Sequence, residues 1–261
     1  MRRLLAALPL LLLAALPLLL LAACGGSART AAGPAATDPG RPLTYVAVGA
    51  SETVGFGADD PLSQAWPQVL YHTALPRAAT FVNLGIPGET VAGAITDEAP
   101  EAVRLAPDLV TVWLNVNDAL RRVSAASYEQ QLGRLVHTLR RGGRTAVLVA
   151  DTPPLDRLPA YLSCLPTSQG GTGGGCRIPT GLAVPTPEQV RAATADYSAA
   201  AVRVATREGA VLVKLSTAVL AARQSGTEAA LYGKDGFHPS TEGHRRVAAA
   251  FARALKGVPL P

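Results

Sequence analysis

Little in this 261-residue chain is aromatic: Phe, Trp and Tyr make up 5% of it. Aliphatic Val, Leu and Ala therefore have to carry most of any core. Lysine is scarce too, present only at Lys214, Lys234 and Lys256, and the arginines of the body of the chain cluster no further than the doublets Arg121-Arg122, Arg140-Arg141 and Arg245-Arg246. A nucleic-acid footprint needs a clustered basic stripe, so no nucleic acid is expected as a partner. Neither Cys-x-x-Cys nor His-Glu-x-x-His occurs, which removes the usual zinc spacings and leaves no metal or other cofactor expected. Gly55-Phe56-Gly57 is followed by Asp60 where a dinucleotide loop needs its third glycine. In Gly49-Ala50-Ser51-Glu52-Thr53, Thr53 stands where the Gly-x-Ser-x-Gly elbow ends in glycine, and no His-Gly-Gly-Gly stretch accompanies it.

What is present begins with Arg2 and Arg3, then an apolar run from Leu4 to Leu20 broken by Pro9 and Pro17, then Leu21-Ala22-Ala23-Cys24. A charged start, an apolar stretch and small residues at a cleavage point are the three parts of an export signal. The run is near the length that spans a bilayer, so length alone does not separate signal from membrane helix. Leu-Ala-Ala-Cys resembles the lipobox of bacterial lipoprotein precursors, and that resemblance implies cleavage before Cys24 and lipidation of its thiol. The expected division is a signal peptide over 1–23, a lipidated Cys24 with a tether over 24–42, and one domain over 43–261. The expected place is the bacterial cell envelope, with the protein exported, anchored to a membrane by lipid, and monomeric. Loss of Arg2 and Arg3 reduces the formal charge from +5 to +3, 22 basic residues against 19 acidic. Residues 25–42 hold no apolar side chain larger than Ala or Pro; such a stretch buries too little to offset its ordering entropy and has an r.m.s. span of roughly 20–25 Å.

Five short, nearly continuous apolar runs read as strands buried on both faces: residues 43–48, 80–84, 109–114, 145–150 and 210–215. Helical spacing appears between them, over 63–75, 127–141, 187–207 and 241–255. Alternation of this kind implies right-handed crossovers and a parallel sheet covered by helices on both sides, an α/β fold. Ligands in such sheets bind beyond the carboxyl ends of the strands.

The residues at those ends carry chemistry. Gly49-Ala50-Ser51 follows the first strand, Asn83-Leu84-Gly85-Ile86-Pro87-Gly88 the second, and Asn115-Val116-Asn117-Asp118 the third; Asp235-Gly236-Phe237-His238-Pro239 comes late in the chain. A serine hydroxyl is a weak nucleophile and needs a base within hydrogen-bond reach. His238 offers one ring nitrogen for that proton, and Asp235 offers a carboxylate to the other. A developing oxyanion needs preorganised donors, which the amides of Ser51 and Gly85 and the side chain of Asn117 are expected to supply.

This constellation resembles the SGNH, or GDSL-like, hydrolases, named for Ser, Gly, Asn and His in separate blocks. The matches fall at Ser51, Gly85, Asn117 and Asp235-x-x-His238, within about residues 43–256. The resemblance implies a flavodoxin-like three-layer α/β/α fold with a five-stranded parallel sheet in the order 2-1-3-4-5. It also implies ester or thioester hydrolysis without a metal, by a serine esterase or lipase, with an acyl ester, a lipid or an acetylated sugar as the expected kind of substrate. Two positions depart from the pattern: Ala50 replaces an acidic residue before the nucleophile, and Asn115 a glycine two before the third-block asparagine. Two other readings share this fold, an O-acyltransferase with the same acyl-enzyme and a non-catalytic envelope module that holds glycan or lipid. Finally, Cys164 and Cys176 are expected to pair in an oxidising compartment, within a long Pro- and Gly-rich insert over 152–186. Leu162, Leu165 and Ile178 flank the cysteines, and the stapled loop is expected to wall an acyl pocket.

Overall fold

The computed structural model describes residues 41–173, 175–176 and 183–260. The expected signal peptide, Cys24 and the tether up to residue 40 lie outside the described residues, as does Ile178 of the insert.

The strands are β1 Thr44–Gly49, β2 Thr80–Asn83, β3 Leu109–Trp113, β4 Ala146–Ala150 and β5 Val211–Val213. All pair in parallel, in the order β2-β1-β3-β4-β5. The fold is the expected three-layer α/β/α sandwich. Around the sheet run α1 Ser51–Val54, α2 Pro61–Gln64, α3 Trp66–Ala74, α4 Val91–Asp97, α5 Ala99–Arg104, α6 Val116–Leu120, α7 Ala125–Arg140, α8 Pro159–Leu162, α9 Pro187–Glu208, α10 Leu215–Gln224 and α11 Thr241–Leu255.

Period-two alternation sorts the strand residues into two cores. Val46, Val48, Val110, Val112, Val147 and Val149 point to one face, against α4, α5, α7 and α9. Tyr45, Ala47, Leu109, Trp113, Leu148 and Ala150 point to the other, against α3, α10 and α11. The few aromatics sit where helices meet: Tyr128 stacks on Tyr197 at 4.4 Å between α7 and α9, and Trp66 on Phe251 at 4.3 Å between α3 and α11. Full burial of each such side chain contributes about 1.5–3 kcal/mol.

Three stretches differ from the sequence reading. The helix expected over 63–75 is two helices, parted at Ala65 with ψ 145°. Pro67 lacks an amide hydrogen and has to sit in the first turn of a helix, so α3 starts there. No helical spacing marks 91–104, where Gly93 and Pro100 interrupt it, yet α4 and α5 form. Thr90 caps α4 by accepting the Gly93 amide at 3.2 Å. The fifth strand stops at Val213 rather than 215, because the Asp151 carboxylate accepts the Ser216 amide at 2.9 Å and caps α10.

At the amino edge of the sheet, Asp108 accepts the Thr44 amide at 2.8 Å and pairs with the Arg41 guanidinium. The insert leaves β4 at the opposite edge. Its base is fixed by Asp156, which lies 3.4 Å from Arg191 of α9 and 3.3 Å from Arg223 of α10. Farther along, a disulfide joins Cys164 to Cys176, and Leu162 accepts the Thr172 amide at 3.0 Å.

Candidate active site

The loop after β1 and the loop before α11 meet at the carboxyl edge. Ser51 opens α1, and its hydroxyl lies 2.9 Å from His238 Nε2. His238 Nδ1 lies 2.5 Å from Asp235 Oδ2. Asp235 Oδ1 accepts the amides of Phe237 at 2.9 Å and His238 at 3.0 Å, the local geometry that an Asp in a tight loop favours. Burial works against charge on Asp235, but the hydrogen bonds from His238 and the two amides outweigh it and hold the carboxyl below its ordinary pKa. A carboxylate on Nδ1 assigns the hydrogen to that nitrogen and leaves Nε2 as the acceptor for the serine proton.

The histidine loop is braced from two sides. Tyr232 bridges Pro239, and the Gly233 amide donates to the His238 carbonyl at 2.8 Å. Gly57 packs against it with φ +88°, and a Cβ there would lie 2.2 Å from the Pro239 oxygen, so only glycine fits. Phe56 sets its ring edge-on to His238 at 5.4 Å. His244, to which the sequence assigns no role, is fully buried; its Nδ1 accepts the Trp66 amide at 3.2 Å and its Nε2 donates to the Phe56 carbonyl at 3.0 Å. Burial lowers its pKa, in keeping with a neutral tie between α11, α3 and the Phe56 turn.

The loops after β2 and β3 line the other side of Ser51. The Gly85 amide, expected among the oxyanion donors, donates to Asn83 Oδ1 at 3.0 Å. Three residues on, Gly88 has φ +81° and open space around its Cβ position. Asn117 Nδ2 donates to the Glu89 carbonyl at 2.9 Å, which uses one of its two hydrogens. The Ser51 amide stands at the start of α1, where no intrahelical acceptor reaches it.

Three buried acids also gather on this side, and none of them was singled out from the sequence. Glu52 Oε2 lies 3.4 Å from Ser51 Oγ, and burial raises its pKa to about 7. Glu98 accepts the Gly49 amide at 2.8 Å, and burial raises its pKa to about 8. Asp118 accepts the Val91 amide on both oxygens at 3.2 Å, and burial raises it to about 6.

Ser51, Asn117 and His238 open on a cleft of about 820 Å³, its open mouth included. Its walls are mostly apolar, among them Leu155, Leu158, Val219, Leu231, Phe237 and Val247. The insert contributes through Pro153, Pro154, Leu155 and Leu158. Neither Leu162 nor Leu165 is part of the wall; Leu165 is buried against its own loop, where Thr172 and Gly171 fold back on it. Among the described residues, the insert's share of the wall comes from the segment ahead of the staple.

The fold recurs in solved structures. A lipase/acylhydrolase from Enterococcus faecalis is 21% identical, covers 84% of this chain and 97% of its own, and has a TM-score of 0.60. TesA is 22% identical, with coverages of 82% and 98% and a TM-score of 0.59. The psychrotrophic esterase EstA from Pseudoalteromonas sp., solved inhibited by monoethylphosphonate, is 16% identical, with coverages of 82% and 96% and a TM-score of 0.55. At these identities the likeness concerns the fold. No curated protein matches the chain. The family model of the GDSL-like lipases and acylhydrolases, however, matches residues 47–246, which take in all of the loops described above, and the chain belongs to that hydrolase family.

Proposed function

We propose that this protein is a carboxylic-ester hydrolase that works through an acyl-Ser51 intermediate. The observation that carries the reading is the unbroken line of hydrogen bonds from Ser51 through His238 to Asp235, at 2.9 and 2.5 Å, at the head of an apolar cleft. In the proposed reaction His238 Nε2 takes the serine proton as Oγ attacks the ester carbonyl. Asp235 holds the ring and stabilises the imidazolium. His238 then returns the proton to the departing alcohol. Water, deprotonated by the same nitrogen, releases the acid and restores the hydroxyl.

The oxyanion is assigned to the Ser51 amide, the second Nδ2 hydrogen of Asn117 and, in place of Gly85, the amide of Gly88. The occupied Gly85 amide and the open surroundings of Gly88 support the exchange. The apolar walls favour an aliphatic acyl ester over an acetylated sugar, since an acetyl group leaves most of the cleft without a partner. Leu21-Ala22-Ala23-Cys24 behind an apolar run supports export and a lipid anchor at Cys24.

A panel of aryl esters from acetate to decanoate, joined to labelling with an alkyl phosphonate, tests the reading. The expected results are a rise in kcat/KM from acetate to medium chains and a phosphonyl adduct on Ser51. A folded protein that neither turns over any ester nor takes the label would point to a binding module instead. Loss of a Cys24→Ala protein from the membrane fraction, with no incorporation of a clickable fatty acid, tests the anchor.

A further inference from the structure

The residue between Gly49 and the nucleophile is Ala50, which is buried and has no polar side-chain atom to hold the turn. The support comes instead from a distant part of the chain. Glu98 lies at the corner between α4 and α5, is 1% exposed, and accepts the Gly49 amide on Oε2 at 2.8 Å. Its other oxygen, Oε1, is buried and meets no hydrogen-bond partner. The charges it senses are all acidic, from Glu89, Glu52 and Asp97. A buried carboxyl with no cation beside it carries a desolvation cost. Among the described residues, its one side-chain hydrogen bond is to the amide two residues before Ser51. The Gly49 carbonyl is engaged as well, by the Ile86 amide at 2.9 Å, so Glu98 completes the anchoring of the last residue of β1.

We propose that Glu98 is a positioning residue for the nucleophile: by holding the Gly49 amide it fixes the turn that aims Ser51 Oγ at His238 Nε2. This rests on Ser51 acting as the nucleophile. Glu98 touches neither substrate nor reacting atoms; it acts through the backbone. Its effect should therefore fall on the attack step and leave the cleft alone, because small misplacements of a reacting group cost rate before they cost binding. The uncharged form of Glu98, or an amide in its place, serves equally well as the acceptor.

The experiment compares Glu98→Gln, which keeps an acceptor of the same length, with Glu98→Met, which keeps length and removes it. Each purified chain is measured for the rate of Ser51 phosphonylation by intact mass, for kcat and KM on p-nitrophenyl butyrate, and for thermal unfolding. Glu98→Met is expected to lower kcat and the labelling rate by roughly 10- to 100-fold with KM within about twofold. Glu98→Gln is expected to stay within about threefold of wild type in both. Equal labelling rates in wild type and Glu98→Met overturn the proposal, as does a change carried by KM. If Glu98→Met does not fold, Glu98→Gln still decides: a folded Gln variant slowed as far as 10-fold overturns the role of the acceptor. A wild type that is never labelled at Ser51 overturns the nucleophile assignment itself, which separates the two failures.

Discussion

The two sides of Ser51 are finished to different degrees. Toward His238 the reacting side chains are fully partnered: Asp235 uses both oxygens, His238 both nitrogens, and the surrounding loop is braced by Gly57, Phe56 and the buried His244. Toward Asn117 the donors are in part committed to the protein, Gly85 to Asn83 and Asn117 to Glu89. That same side holds Glu52, Glu98 and Asp118, all with pKa values raised by burial. In the proposed reaction, proton transfer is thus preorganised, while the side assigned to receive negative charge is crowded with groups able to carry it. The proposed reaction requires those acids to stay protonated or to face backbone amides, as Glu98 and Asp118 do.

Removing the finished side should have the largest effect. Ser51→Ala and His238→Ala are each expected to lower kcat by on the order of 10⁴- to 10⁶-fold, with the double variant little worse, because the two act as one unit. Steady-state rates on a medium-chain aryl ester, with circular dichroism to confirm folding, check this. Asn117→Ala removes a single donor and should cost about 10²- to 10³-fold in kcat. A Gly85 amide already bound to Asn83 predicts that Asn83→Ala disturbs the β2 loop without the same loss of kcat; equal losses would return Gly85 to the oxyanion role.

The acid-rich side gives a pH signature of smaller size. As pH rises through about 7, Glu52 ionises beside Ser51, and a carboxylate there opposes a developing oxyanion. Wild-type kcat is expected to decline on the alkaline side by roughly 3- to 10-fold, and Glu52→Gln to flatten that limb. Stability should follow the same sign. Glu98 and Glu52 bind their protons more tightly in the folded chain than in the unfolded one, where carboxyls titrate near 4.5. Their contribution is full below about pH 4.5 and is lost as pH rises toward 8. Melting temperatures of wild type and Glu98→Gln, taken from pH 5 to 9, should therefore diverge with the variant the more stable at the alkaline end.

The smallest expected effect on catalysis comes from the disulfide. Because, among the described residues, the insert lines the cleft through Pro153, Pro154, Leu155 and Leu158 and not through the stapled loop, replacing Cys164 and Cys176 by serine should lower the melting temperature and leave the chain-length profile unchanged. A shifted profile would bring the loop back into the acyl pocket.

Strand positions were readable because strands buried on both faces leave short unbroken apolar runs, and the blocks at their ends fall in order along the chain. Ser51, Asn117 and the Asp235–His238 pair are brought to one edge as that order requires. The Gly85–Asn83 contact had a signal within reach, since an Asn two residues before a glycine readily turns its side chain onto that amide. Pro67 likewise marked the start of α3. Glu98 and His244 left no such mark. Their partners, Gly49 and Trp66, lie 49 and 178 residues away, and local spacing carries no trace of a contact made only when the layers close.

One further consequence lies at the far end of β1. Asp108 clasps Arg41 and Thr44 at the edge of the sheet where the strand begins, and Ser51 follows where it ends, roughly 20 Å on for six residues of extended chain. Anything attached ahead of Arg41 therefore joins the domain at the edge of the sheet opposite the cleft.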